Sequence, residues 1–537
     1  MFRLILIVFL FFSCTTKQED QKQVFRYNQP EGLTTLDPAF AKSQPVMWIS
    51  HQLYNTLVEI NSSLIISPSL AWRWEISEDG KHYTFFLRDS IYFHDNAAFP
   101  GGKGRKMTAQ DVVYSLDRII DKSTASPGAW IFNGRVDSLK PFVALNDSVF
   151  QLNLQRPFPP ILGILSMQYC SIVAHEAVEK YGKDFRRNPV GTGPFKLKSW
   201  EEGQALILHR YERYFEHDSN GHRLPFLDAV KISFLDNKAT EFMEFRQGRL
   251  DFVNDIEASF KDEVLTKKGE LKTDWKGRIN LFKTPYLNTE YLGILFDSTS
   301  PLLASSPLRS RKVRQAMNHA IDRKKMMMYL RNSIGTAAES GFVPAGLPSF
   351  NAEKVKGYAY DPEKAKQLLR EAGYNSNTDV ITLKTIPIYA ELGAFVARQL
   401  EEVGIMVKVE TVQRATLLEE IAKSQALFFR GSWIADYPDA ENYLSVFYSK
   451  NPAPPNYTRY KNLQFDALYD RALTETDDSA RYALYQQMDQ IVINDAPVIP
   501  LWYDMAIHLV QPNVTGFKPN PLNLLELRTA RKVVISH

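Results

Sequence analysis

The sequence predicts an α/β protein of two or more lobes. At 537 residues the chain is several times the usual domain, and a single hydrophobic core rarely grows past roughly 250–300 residues. Strand-like and helix-like apolar periodicities are mixed along the whole chain without an internal repeat. Residues 381–412 read as strand, helix, strand, the unit whose right-handed crossover makes parallel neighbours.

The elements follow in order. Trp72 to Ile76 and Tyr83 to Leu87 flank Glu78-Asp79-Gly80, and Asp-Gly supplies the positive φ that a tight hairpin turn needs. Tyr83, Phe85 and Leu87 then share one face. A helix follows: Thr108 and Asp111 have capping-box spacing, and Val112, Leu116, Ile119 and Ile120 recur at helical intervals. Phe150, Leu152 and Leu154 mark a further strand. Val313, Ala316, Met317, Ala320 and Ile321 form one buried helical stripe. Asp361-Pro362 starts another helix with a cap and a fixed φ; Ala365, Leu368, Leu369 and Ala372 are its inner face and Gly373 stops it. The β-α-β unit comprises strand Ile381 to Ile388, helix Glu391 to Val403 closed by Gly404, and strand Ile405 to Val412. Thr416 with Glu419 predicts a capped helix leading to the apolar strand Ala426 to Trp433.

Composition narrows the function classes. Hydrophobic residues make up 44% and charged residues 23%, which provides for sizeable cores and gives no sign of extended disorder. The 64 Lys and Arg against 61 Asp and Glu leave a formal charge of +3, without the basic footprint of a nucleic-acid binder. Leu4 to Phe12 is an unbroken apolar run behind Arg3. It is less than half the roughly twenty residues that a bilayer-spanning helix needs, so it predicts an export signal. The run stops at Ser13-Cys14, before the polar tract Thr15 to Asp20. A cysteine so placed resembles a bacterial lipoprotein processing site, which implies a signal peptide of residues 1–14 ending at a lipidated Cys14. Phe11-Phe12 ahead of Ser13 departs from that pattern. With Cys14 acylated, Cys170 has no disulfide partner and reads as a buried apolar filler.

Catalytic and metal-binding motifs in the sequence are incomplete. His175-Glu176 begins like a zinc-protease helix, but Glu179 stands where the second histidine ligand belongs. Gly101-Gly102-Lys103-Gly104-Arg105-Lys106 lacks the spacing of a phosphate loop and reads as a solvated loop. Gly191-Thr192-Gly193 is followed by Pro194, which removes a backbone donor that a phosphate cradle would use. No catalytic residue, metal or cofactor is expected.

Several runs, taken together, are more specific. Leu70-Ala71-Trp72-Arg73-Trp74, Asp79-Gly80-Lys81, Tyr83 to Arg88, Phe93-His94-Asp95 and Thr108 to Val112 are followed by Asn188 to Phe195 and by Gln247 to Asp251. Arg311 to Ala316, Ala320 to Arg323 and Ala365 to Gly373 complete the set. In order and spacing they resemble the family 5 extracellular solute-binding proteins, the oligopeptide, dipeptide and nickel binders of ABC importers, over nearly the whole mature chain. The resemblance implies a type II periplasmic binding protein fold, with two α/β lobes joined by crossing strands and an additional subdomain. By analogy, lobe I is discontinuous over 24–66, 190–285 and 500–537, the additional subdomain covers 67–189, and lobe II covers 286–499.

The resemblance also implies the function: an extracytoplasmic, lipid-anchored monomer that captures peptides by hinge closure and delivers them to a membrane permease. A nickel, metal-chelate or other small-solute binder on the same fold is the alternative. Residues 430–439, Arg430-Gly431-Ser432-Trp433-Ile434-Ala435-Asp436-Tyr437-Pro438-Asp439, resemble the cleft strand of peptide binders. In those relatives the aspartate three after the tryptophan meets the peptide's α-ammonium, which maps onto Asp436. Backbone groups of Gly431, Ser432, Trp433 and Ile434 would pair with an extended peptide as an added strand. Arg430 matches a basic residue that some oligopeptide binders aim at the ligand's carboxylate. Asp439 reads as a former of the turn at Pro438.

Overall fold

The computed structural model describes residues 22–256, 258–375 and 380–533. The predicted leader and Cys14 lie outside the described residues. One large mixed sheet runs through both lobes. At its centre two long strands, Asn280–Ile294 and Val498–Val510, lie antiparallel from Asn280↔Val510 to Gly293↔Val498. On one side the sheet continues through Phe252–Asn254, Val24–Asn28, Ala229–Ser233, Ala205–Arg210 and Phe195–Glu201. On the other it continues through Phe428–Ile434, Ile381–Thr385 and Val407–Thr411. The two long strands are therefore the crossing strands between lobes.

Their pairing is broken in the middle. Pro285 faces Met505 and Thr289 faces Tyr503, so Tyr286, Leu287 and Asn288 stand opposite Asp504 alone. Extra residues on one strand bend it and increase its local twist. Asp504 is held at this joint by Arg331 at 2.6 Å and by the Asn288 amide at 3.1 Å.

In the second lobe Ile381–Thr385, helix Ala390–Glu401 and Val407–Thr411 form the expected β-α-β unit, with parallel register from Ile381↔Val407 to Thr385↔Thr411. Leu392, Val396 and Leu400 bury the helix against it, at roughly 1.5–3 kcal/mol for each large side chain. Two expectations are corrected. The first strand ends at Thr385 and not at Ile388, because Pro387 opens a 3-10 turn; proline has no N–H for a sheet ladder. The next helix is Arg414–Ala422 with Gln413 in the cap position, so Thr416 and Glu419 lie inside it and form no cap.

The additional subdomain is a four-stranded antiparallel sheet in the order Ala71–Ile76, His82–Leu87, Val149–Asn153, Phe142–Asn146. The Asp79-Gly80 hairpin forms, with Gly80 at φ 66°. Tyr83, Phe85 and Leu87 are buried on one face. Helix Ala109–Ile120 carries the reciprocal Thr108/Asp111 capping box and buries Val112, Leu116 and Ile119. Cys170 is 1% exposed, and burial pushes its thiol up. It is an apolar filler.

Candidate functional site

The cleft strand Phe428–Ile434 pairs along its whole length with a crossing strand, from Asn288↔Ile434 to Ile294↔Phe428. On its other side Ile381–Thr385 covers only Phe428 and Phe429. Among the described residues the edge from Arg430 to Ile434 therefore has no strand partner and can accept one. Gly431 lies opposite Tyr291, and a Cβ at Gly431 would come within 2.7 Å of the Tyr291 ring. Glycine is needed there for close packing.

Arg430 is not a free cation. Its Nε and one terminal nitrogen donate to both oxygens of the buried Glu290, the second bond at 2.6 Å, and its guanidinium carbon lies 3.7 Å from the Tyr389 ring centre. Burial pushes the Glu290 carboxyl up to about 7, and Arg430 opposes that shift. The pair sits where the crossing and cleft strands adjoin.

Past Ile434 the chain turns, with the Ala435 N–H donating to the Leu287 carbonyl at 2.8 Å, and presents Asp436. One residue holds this corner. Asn442 Oδ1 accepts from the Trp433 indole N–H at 3.0 Å and from the Asp436 N–H at 3.2 Å; Asn442 Nδ2 donates to Asp436 Oδ2 at 3.1 Å. Asn442 sits on the short helix Ala440–Leu444, whose N-cap is Asp439, accepting from the Glu441 N–H at 2.8 Å. Asp439 thus serves the local turn. Asp436 is open to the cleft but walled by protein, so desolvation raises its pKa; the Asn442 bond and the charge of Arg135 lower it, and Glu441 raises it.

Two cavities meet at Asp436. The larger, about 610 Å³, is walled by Arg135, Arg156 and Phe158 of the subdomain and by Trp433, Asn442 and Tyr448 of the second lobe. The smaller, about 330 Å³, is bounded by Met47, Trp48, Leu522 and Leu524 of the first lobe, by Met167 and Tyr169 of the subdomain, and by Ile434 and Ala435. Trp130, Asp436 and Tyr437 line both. Of the expected site residues, Trp433, Ile434 and Asp436 face these cavities; Arg430, Gly431 and Ser432 lie along the open strand edge. Sequence reasoning missed Trp130, Arg135, Arg156 and Asn442. Among the described residues no group of three His, Cys, Asp or Glu is placed to hold a metal.

The family model of the bacterial extracellular solute-binding proteins, family 5 Middle, matches residues 66–455. The chain belongs to this family. Heme-binding protein A of Haemophilus influenzae is 30% identical over 88% of the chain and 85% of that relative. The dipeptide-binding protein of Escherichia coli is 27% identical over 88% and 87%. Among solved structures, the periplasmic binding protein DppA from Helicobacter pylori in complex with peptide STSA aligns with a TM-score of 0.74 at 26% identity, covering 95% of this chain and 98% of that one. This family 5 protein is thus an extracytoplasmic solute-binding protein of the type II periplasmic binding fold.

Proposed function

We propose that this family 5 protein captures short peptides between its lobes and delivers them, unchanged, to an ABC permease. Asp436 carries the reading: a carboxylate at the junction of two interlobe cavities, beside an unpartnered strand edge. A peptide's α-ammonium meets Asp436 in a charge-assisted hydrogen bond. Its backbone pairs with Gly431 to Ile434, which gives affinity without reading side chains. Trp433 supplies an apolar wall, and Arg430 keeps Glu290 neutralised beside the edge. The dipeptide-binding and peptide-bound relatives agree with this chemistry.

Lobe I comprises 24–66, 190–285 and 500–537, the subdomain 67–189 and lobe II 286–499, with closure about the crossing strands. Acylation at Cys14 holds the monomer at the membrane surface, with a second contact needed because one acyl chain alone binds only marginally.

Calorimetry with a dipeptide on the protein and on Asp436→Asn tests the reading. Truncating one side of a hydrogen-bonded charge pair costs about 2 kcal/mol or more, roughly thirtyfold in affinity. Equal affinity in the variant removes Asp436 from the site. The 30% identity to a heme-binding protein favours one second reading, a porphyrin ligand. Hemin binding followed by absorbance, with no heat from any peptide, selects that reading.

A further inference from the structure

Arg430 is the cation that sequence resemblance aims at a ligand carboxylate, yet its Nε and one terminal nitrogen are bonded to Glu290 and its guanidinium lies against the Tyr389 ring. A zwitterionic ligand anchored at Asp436 needs its anion met elsewhere. The larger cavity, which Asp436 also lines, supplies two guanidinium groups, Arg135 and Arg156.

The fold puts these two side by side. Val136 and Leu154 form an isolated antiparallel bridge, and the Gln155 N–H donates to the Arg135 carbonyl at 2.8 Å. Arg135 is held in place. One terminal nitrogen donates to the Trp130 and Ile131 carbonyls at 3.2 and 3.0 Å, and its guanidinium carbon stands 4.8 Å from the Phe158 ring centre. Its other donors remain unused, and Arg156 is exposed to the cavity.

Neither guanidinium has a carboxylate within 4.0 Å among the described residues. The acids nearby are engaged: Glu441 accepts from the Tyr437 and Tyr469 hydroxyls, and Asp470 from the Tyr448 hydroxyl and from Lys450 at 2.8 Å. Both guanidinium groups line the cavity without a direct ion pair, although the charge of Arg135 is felt by Asp436 and that of Arg156 by Asp470, and their planar forks match a carboxylate.

We propose that Arg135 and Arg156 form the carboxylate receptor of the cleft, so the additional subdomain selects ligands that carry an anion into the larger cavity. The inference rests on the solute-capture reading and sharpens it. The ligand class is a small solute with a carboxylate for the arginine pair, joined in a peptide by an α-ammonium for Asp436. That carboxylate is the C-terminus of a peptide or the propionate of a porphyrin; both are the same chemistry to the receptor.

Calorimetry on the protein, Arg156→Gln, and Arg135→Gln/Arg156→Gln decides it, with folding of each variant checked by thermal melting. Arg156→Gln alters an exposed side chain, so it reports even where the double variant fails to fold. The peptide arm uses di-, tri- and tetrapeptides with free ends, their C-terminal amides, and their N-acetyl forms. The porphyrin arm uses a porphyrin dipropionate and its dimethyl ester.

We expect amidation or esterification to weaken binding to the unaltered protein at least tenfold, about 1.4 kcal/mol. In the double variant that difference disappears, because the acid loses affinity and the neutral analogue does not. Acid-selective binding in the porphyrin arm alone supports the receptor while ending the peptide reading. Amides that bind as well as acids, while N-acetyl peptides fail, overturn the arginine pair and leave Asp436 standing. Equal weakening of acids and neutral analogues by the substitutions overturns it too, since the arginines would then act on lobe closure. No binding in either arm overturns both readings.

Discussion

Asn442 does as much to shape the site as Asp436. Its single amide accepts from Trp433 and from the Asp436 backbone and donates to the Asp436 carboxylate, which fixes the indole and the acid in one geometry. Asn442→Asp separates these roles. The acceptor for Trp433 and the Asp436 N–H survives, but the donor is lost and a like charge is added. Both changes raise the Asp436 pKa further, since hydrogen bonding to the ionised form lowers it and a neighbouring anion raises it. Peptide capture requires Asp436 ionised, so the loss of affinity on acidification will begin at a higher pH in the variant than in the parent. Titrations over pH 4–8 check this, and a coincident profile would separate Asn442 from the acid. Asp436 and Trp433, which both line the larger cavity, could be singled out in the sequence because residues 430–439 resemble the cleft strand of peptide binders. Asn442 was not, since an asparagine on a short helix carries no mark of what it faces. Glu290, 140 positions from Arg430, is equally invisible until the crossing strand pairs with the cleft strand.

Among the elements, legibility follows how local the determinants are. The helix Pro362–Ala372 was readable end to end because each signal acts within one turn: Asp361 accepts from the Lys364 N–H at 2.8 Å, Pro362 sets the first φ, and Gly373 closes at φ 67°. Removing such a cap costs about 1 kcal/mol, so Asp361→Ala should lower unfolding free energy by that amount in denaturant titration, with peptide affinity unchanged. A larger loss, or altered binding, would show that this cap supports the cleft. Thr416 and Glu419 show the limit of the same reasoning. Their spacing imitates a capping box, but the chain leaving strand Val407–Thr411 already turns helical at Arg414. A cap motif states that a helix can start, and the end of the preceding strand decides where. Ile386 to Ile388 failed as strand for a nearby reason, because Pro387 overrides apolar content.

At the scale of the molecule the two halves meet through the crossing strands, whose pairing is irregular at Tyr286–Asn288 against Asp504. A ligand that touches both lobes shifts the open–closed population by its affinity difference between the two forms. Solution scattering should therefore show a smaller radius of gyration with saturating ligand. An unchanged radius would mean capture without closure. The same strands carry a pH dependence of folding. His508, on Val498–Val510, is 3% exposed; its Nε2 lies 3.0 Å from the Asn523 amide oxygen, its ring lies 5.2 Å from that of Phe252, and its Nδ1 has no partner among the described residues. Burial outweighs the Asn523 bond and lowers its pKa from 6.5 to about 4. Between those values the unfolded chain takes up a proton that the folded protein refuses. The histidine's contribution to stability is therefore whole above pH 6.5 and declines as pH falls towards 4. Going from pH 6.5 to 5 costs the parent about 2 kcal/mol through this group. His508→Gln does not titrate, so the stability gap between parent and variant should shrink by that amount over the same interval. His94, buried neutral in the same way, is present in both proteins and cancels in the difference. Urea unfolding of both proteins at pH 7, 6.5 and 5 measures the gap, and a gap that stays constant would mean that His508 takes up its proton equally in the folded and the unfolded chain.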